Sequence, residues 1–241
     1  MKKYILFDFD GTIADTNELI LLALNKTAER YMGRKLSWDE INSILGKYLE
    51  DQMKQLCPEK YKDMVMFYKE FYSAHKEDMT REFPGIREML RDIKSEGCKT
   101  AVVSAKGRNG IEHGLDKLGI SEYIDVIISA YDIQNNKPHP EPVYKALNLL
   151  ECAGSKVFNK HKNAVLDINT SSLFCENSHS EEYFALMVGD SPYDILCGKN
   201  AGIKTALVDW TIFPKKPLLD LKPDFYIKSP SELTEIISLL P

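Results

Sequence analysis

In YILFDFDGT, residues 4–12, an apolar run leads straight into two aspartates spaced one apart. Tyr4, Ile5, Leu6 and Phe7 read as a buried strand, and carboxylates at Asp8 and Asp10 cannot share that burial unpaired. They must stand where the strand leaves the core. Other polar residues follow apolar runs in the same way. Ser104 ends KTAVVS, Lys137 lies in NNKPHPEP after DVIIS, and Asp190 and Asp194 lie in GDSPYD after the run that begins FALMV. Carboxylates brought together at one edge need a cation, and hard oxygen ligands suit Mg²⁺, which keeps several waters and bridges phosphate oxygens. Ser104 and Lys137 would offer a donor and a positive charge to a phosphoryl group. Such a group spreads its charge over its oxygens, so electrostatic positioning is what its transfer requires.

Singly, each residue has an ordinary explanation. An Asp-x-Asp pair is common turn chemistry, Ser104 can cap a helix, Lys137 can be surface charge, and Asp194 sits where acids favour a helix N-terminus. The joint pattern carries the functional reading.

The elements that must position these residues are short, continuous apolar runs: 4–9, 99–104, 125–129, 184–190 and 204–209. They do not alternate strictly, which is what strands covered by helices on both faces require. Helical patterns lie between them at 85–97, 110–120, 142–151 and 191–202, with Gly97, Gly119 and Gly202 as stop signals. The βαβα order predicts an α/β fold, a Rossmann-like doubly wound parallel sheet with ligands outside the carboxyl ends of its strands. Two stretches break the rhythm. Residues 15–82 read as helical without a good strand, which predicts a helical cap inserted into a core made of 1–14 and 83–241, with hinges near Thr16 and Phe83. Residues 152–180 form an excursion beyond the helix and strand that connection needs. It reads as a surface excursion, with NAVLDI as a candidate edge strand or partner contact.

Composition narrows the function. A net charge of −5 over 241 residues argues against nucleic-acid or anionic-membrane binding driven by bulk charge. No window is apolar enough for a membrane span, and the apolar run after Lys2 and Lys3 ends too early for a secretory signal. Five cysteines without a C-x-x-C pair fit a reducing compartment rather than a disulfide framework or zinc site. A cytoplasmic enzyme is expected, monomer or homodimer, with no nucleic-acid or membrane partner.

The segments DFDGT, VVSAK, NNKPHPEP and GDSPYD together resemble the four ordered motifs of the haloacid dehalogenase (HAD) superfamily of phosphohydrolases, across nearly the whole chain. TNELI, PEPVYKALNLL, MVGDSPYDILCGKNAGIKTALVDWT and KPDFYIKSPSEL are similar to the bacterial pyrophosphatase and phosphoglycolate phosphatase branch. The resemblance implies Asp8 as nucleophile, Asp10 as general acid/base, Ser104 as phosphate-binding hydroxyl and Lys137 as charge stabiliser. It implies a Mg²⁺ site at Asp8, Asp10 (through its carbonyl) and Asp190, with Asp194 as the supporting acid near metal or lysine. Gly11, Thr12, Ala105 and Lys106 fall in the same motifs and are expected to bind substrate. Gly46 and Lys47, in ILGKYLED, are placed where a cap loop would close over a small phosphorylated metabolite. In the pyrophosphatase-like relatives a proline follows that glycine, so Lys47 departs from the pattern.

The expected activity is hydrolysis of pyrophosphate first and phosphoglycolate second. A phosphomutase of the same fold would need a cap shaped for a sugar bisphosphate, and no residue asks for that. A dehalogenase would have little use for Asp10. A phosphate-responsive receiver module also joins aspartate, hydroxyl and lysine, but its acceptor aspartate follows a later strand. The stripe MVMFYKEFY, residues 64–72, reads as cap-helix core.

Overall fold

A computed structural model of the chain describes residues 1–152 and 183–240. The expected excursion at 152–180, NAVLDI included, lies outside the described residues except for its first residue.

The sheet is built from β1 (Lys2–Phe7), β4 (Lys99–Val103), β5 (Val126–Ile128), β6 (Tyr183–Gly189), β7 (Lys204–Val208) and β8 (Phe225–Ile227), in the order β5-β4-β1-β6-β7-β8. Every pairing in it is parallel. β1 shows why the strands read as continuous apolar runs. Ile5 and Phe7 pack into a core with Ile86, Met89, Leu90 and Ile93 of α5 (Ile86–Ser95) and Ile111 and Leu115 of α6 (Arg108–Leu118). Tyr4 and Leu6 point to the other face and pack with Val143, Ala146 and Leu150 of α7 (Glu141–Cys152) and Cys197 of α8 (Pro192–Asn200). Both faces are covered, so alternation has nothing to encode. α9 (Lys215–Asp220) and α10 (Pro230–Ser238) complete the described helices of this layer.

β8 was not among the expected strands. At three residues, two of them only half-buried, it carries little apolar signal, and its pairing to β7 defines it. Four helices, α1 (Asn17–Met32), α2 (Trp38–Ile44), α3 (Leu49–Leu56) and α4 (Tyr61–Met79), follow β1. They leave and rejoin the sheet through a two-residue antiparallel ribbon, β2 (Ala14–Asp15) with β3 (Arg81–Glu82), which the helical reading of that stretch did not anticipate. The block buries Leu24, Ala28, Ile41, Ile44, Met53 and Met64 together with Ile195, Leu207 and Phe213 of the α/β part. Among the described residues no helix is long and apolar enough to cross a membrane.

Helix α6 lies so close to the loop after β1 that a methyl on Gly114 would come within 2.4 Å of Phe9 Cζ. Alanine would gain about 1 kcal/mol of helix propensity, whereas overpacking a buried ring costs about 1–3 kcal/mol. Gly114→Ala should therefore lower the urea midpoint of unfolding; a raised midpoint would mean that Phe9 yields without strain.

Candidate active site

The site lies at the carboxyl edge of the sheet. β1 hands over to Asp8, whose N–H still donates to Val188 O at 2.9 Å, extending the ladder by one residue. The chain then closes a tight loop, with the N–H groups of Ile13 and Ala14 both donating to Phe9 O. Ser104 continues β4 in the same way, its N–H donating to Ile128 O at 3.0 Å. Asp190 follows β6 directly, and Asp194 sits in the first turn of α8.

Lys137 ties these ends together. Its Nζ lies 2.6 Å from Asp194 Oδ1 and 3.1 Å from Asp8 Oδ1, and donates to Val103 O at 3.0 Å. Asp194 is 1% exposed, and its second oxygen accepts from Ser191 N (3.0 Å) and Ser191 Oγ (2.6 Å), a reciprocal cap on α8. Asp8 Oδ1 also accepts from Phe9 N at 2.7 Å. Among the described residues its other oxygen has no partner.

Electrostatics follow from burying several acids around one ammonium. Burial, and then Asp194 and Asp10, push the Asp8 carboxyl up to about 7, although Lys137 pulls the other way. Asp190 is held well above the usual carboxylate range, by burial first and by Asp194 and Asp8 next. Burial works against the charge on Lys137, but Asp194 and Asp8 outweigh it and raise its pKa above the ordinary lysine value. One ammonium does not neutralise three carboxylates. Asp8, Asp190 and Asp194 can bring one oxygen each within 4.8 Å of one another, an all-oxygen donor set fit for a hard divalent cation. The chain also leaves room beside it: a Cβ at Gly11, whose φ is +78°, would come within 2.6 Å of Asp190 Oδ2.

Asp10 turns its carboxylate elsewhere. Oδ1 accepts from Thr16 Oγ1 at 2.7 Å and from Lys106 Nζ at 2.8 Å, while Oδ2 has no partner among the described residues. Lys106 Nζ also donates to Tyr72 of α4 at 2.6 Å, so the helical block and the loop after β4 meet on this acid. Burial opposes the Lys106 charge, but Asp10 and Tyr72 keep its pKa above the ordinary value.

Asp8, Asp10, Ser104, Ala105, Lys106 and Asp190 line one cavity of about 520 Å³, which Gly46 and Lys47 border from the block. Lys47 Nζ donates to Gln55 Oε1 at 2.7 Å, and Gly46 lies against the Tyr193 ring. Lys137 and Asp194 lie behind the carboxylates. Thr12, by contrast, is 1% exposed and borders a small apolar pocket with Phe7, Ile13 and Ile86; its Oγ1 has no partner among the described residues. The stripe at 64–72 divides. Met64 and Val65 are core, whereas Tyr68 and Tyr72 face the cavity. Sequence reasoning missed Thr16, Tyr48, Tyr68, Tyr72 and Tyr131. The i, i+4 spacing of Tyr68 and Tyr72 was the one available signal, since it puts both on one helix face.

Residues 5–159 match the family model of haloacid dehalogenase-like hydrolases, and 135–233 match a second, HAD-hydrolase-like model. The chain is 33% identical over 234 residues to the pyrophosphatase PpaX of Bacillus cereus strain B4264, covering 97% of this chain and 95% of that one. A haloacid dehalogenase-like family hydrolase from Streptococcus pneumoniae shares the fold at a TM-score of 0.74 and 20% identity, over 98% of each chain. A solved structure described as a predicted phosphoglycolate phosphatase from Haemophilus somnus aligns at 0.71 and 20% identity, over 98% of this chain and 97% of that one. This protein is a hydrolase with an α/β fold. It belongs to the haloacid dehalogenase-like hydrolases.

The burial of Asp8 has a measurable cost. Its carboxyl ionises at about 7 when folded, against an ordinary 3.8. Between those values the folded form binds more protons than the unfolded one, so in chelator this group's stability contribution falls as pH rises through the window and levels off above it. Asp8→Asn removes that loss. The variant's advantage in unfolding free energy should grow from about pH 4 to about pH 7, to the order of a few kcal/mol. Urea titrations in EDTA would measure it, and a difference flat with pH would contradict the burial argument.

Proposed function

We propose that the chain is a Mg²⁺-dependent phosphohydrolase working through an aspartyl-phosphate, with pyrophosphate its first substrate and phosphoglycolate its second. The observation that carries this reading is the buried Asp8–Lys137–Asp194 group beside Asp190, opening on a cavity that also holds Asp10 and Ser104. The pyrophosphatase relative supports the choice of substrate. Asp8 and Asp190, with the carbonyl of Asp10, would hold the ion, with Asp194 as the supporting acid beside Lys137; when bound the ion supplies positive charge to the phosphoryl oxygens.

The chain's own residues then have distinct tasks. Phe9 N–H and Lys137 fix one oxygen of Asp8, leaving the other to attack phosphorus and expel the leaving group. Thr16 and Lys106 fix Oδ1 of Asp10, leaving Oδ2 to give a proton to the departing oxygen. The same atom then takes a proton from the water that hydrolyses the aspartyl-phosphate and restores Asp8. Ser104 Oγ, which accepts from Lys106 N–H at 3.3 Å, keeps its own hydrogen for a phosphoryl oxygen. Helices α1–α4 act as a cap that closes over this chemistry, with Lys47 facing what lies beyond the transferred group.

Asp8→Asn should abolish phosphate release in Mg²⁺, and Asp10→Asn should lower it by about 10²–10⁴-fold. The Asp10 loss should be steeper for substrates with basic leaving groups. A phosphate-release panel checks both, and an Asp8→Asn enzyme retaining substantial turnover would rule out the covalent route.

Lys47→Ala should lower kcat/KM for pyrophosphate relative to that for a small neutral ester, by the equivalent of about 1–3 kcal/mol. The ratio cancels general damage. An unchanged ratio would make Lys47 a solvated lysine bonded only to Gln55.

A further inference from the structure

The cavity is larger and more aromatic than a small inorganic anion needs. Its volume of about 520 Å³ falls within the range of about 300–1,000 Å³ that holds organic small molecules. The carboxylates and Ser104 take up its floor. Tyr48, Tyr68, Tyr72 and Tyr131 line it further out, beside Ile20, Leu45, Leu49 and Phe213. Tyr68 and Tyr72 are stacked along α4, with centroids 6.0 Å apart and planes 24° from parallel. Tyr48 meets Tyr131 edge to face, 6.1 Å apart at 90°. Tyr131 reaches this position because residue 107 is glycine: a Cβ there would come within 2.9 Å of its Cε2. Tyr131 is 62% exposed at the rim, and Lys69 Nζ lies over its ring, 5.9 Å from the centroid.

The same lining carries unbalanced charge. Lys47, Lys69 and Lys76 border the cavity. Lys47 is bonded to the neutral Gln55, and Lys69 Nζ lies 3.2 Å from the Tyr131 hydroxyl. Among the described residues none of the three has a carboxylate at ion-pair distance.

We propose that the site also hydrolyses phosphate monoesters whose leaving group is a flat aromatic or heteroaromatic ring bearing a second negative charge. The proposal rests on the phosphohydrolase reading above. The ring enters between the tyrosines, which favour stacked and edge-on contacts with it, and its anionic substituent meets the unpaired lysines. The chemistry stays balanced. Asp8 forms the bond to phosphorus as the P–O bond to the ring-bearing alcohol breaks, that oxygen takes the proton from Asp10, and water completes the release of inorganic phosphate.

Three esters that all leave as primary alcohols separate recognition from intrinsic lability: benzyl phosphate, 4-carboxybenzyl phosphate and a carboxyalkyl phosphate of similar length. With wild-type enzyme and Mg²⁺, kcat/KM for the 4-carboxybenzyl ester should exceed that of the carboxyalkyl ester by about tenfold, the size that ring–ring contacts supply. It should also exceed that of benzyl phosphate. Tyr131→Ala, and independently Gly107→Ala, should bring the ring-to-chain ratio toward one, while Lys69→Ala should narrow the gap between the carboxylated and plain benzyl esters. Equal ratios for ring and chain esters in an enzyme that cleaves pyrophosphate would overturn this proposal and leave the phosphohydrolase reading standing. An enzyme that releases phosphate from none of these substrates would overturn both.

Discussion

One buried ammonium shared between carboxylates is the constraint on which the rest of the site depends. Lys137 sits 2.6 Å from Asp194 and 3.1 Å from Asp8, with Asp190 close by. Taking such charges out of water is expensive unless each is paired and hydrogen-bonded. The surrounding backbone meets that condition through Phe9 N–H, Ser191 N–H and Val103 O. It also dictates residue types that carry no charge. β6 has to end in glycine because a Cβ at Gly189 would stand 2.2 Å from Asp194 Cγ. The acid that anchors the lysine therefore fits only because the strand beside it gives up its side chain.

A parallel sheet is the economical way to assemble such a group. Its strands all point their carboxyl ends to one edge, so residues from β1, β4 and β6 meet without any strand reversing. Covering both faces with helices makes each strand apolar along its length, and the first polar residue after each run then marks the edge. Structure and function share one sequence signal here. The point where burial stops is the point where chemistry starts.

This explains what was legible. The fold class and the positions of Asp8, Asp10, Ser104, Asp190 and Asp194 follow from continuous apolar runs that end in polar residues. The less visible parts depend on partners distant in sequence. β8 and the β2–β3 ribbon are too short to carry a pattern and exist through pairing. The inward turn of Thr12 is set by packing beside Trp210, whose Nε1 donates to Thr12 O at 3.0 Å. Tyr131 lies at the rim because of a glycine 24 residues earlier, a relation that no local reading contains.

The core and the helical block contribute different kinds of group to the cavity. The groups on the cavity floor, Asp8, Ser104 and Asp190, come from strand ends and are held by backbone and buried pairs. Groups further out come from the helical block, Lys69 and Tyr72 from α4 and Lys47 from the loop between α2 and α3, and are held by side-chain contacts. Substitutions in the outer set can alter what fits without moving Asp8 or Lys137. Asp10 is the exception, because Lys106 links it to Tyr72 across the seam. Asp10 is thus the one part of the inner set whose setting depends on the helical block being in place.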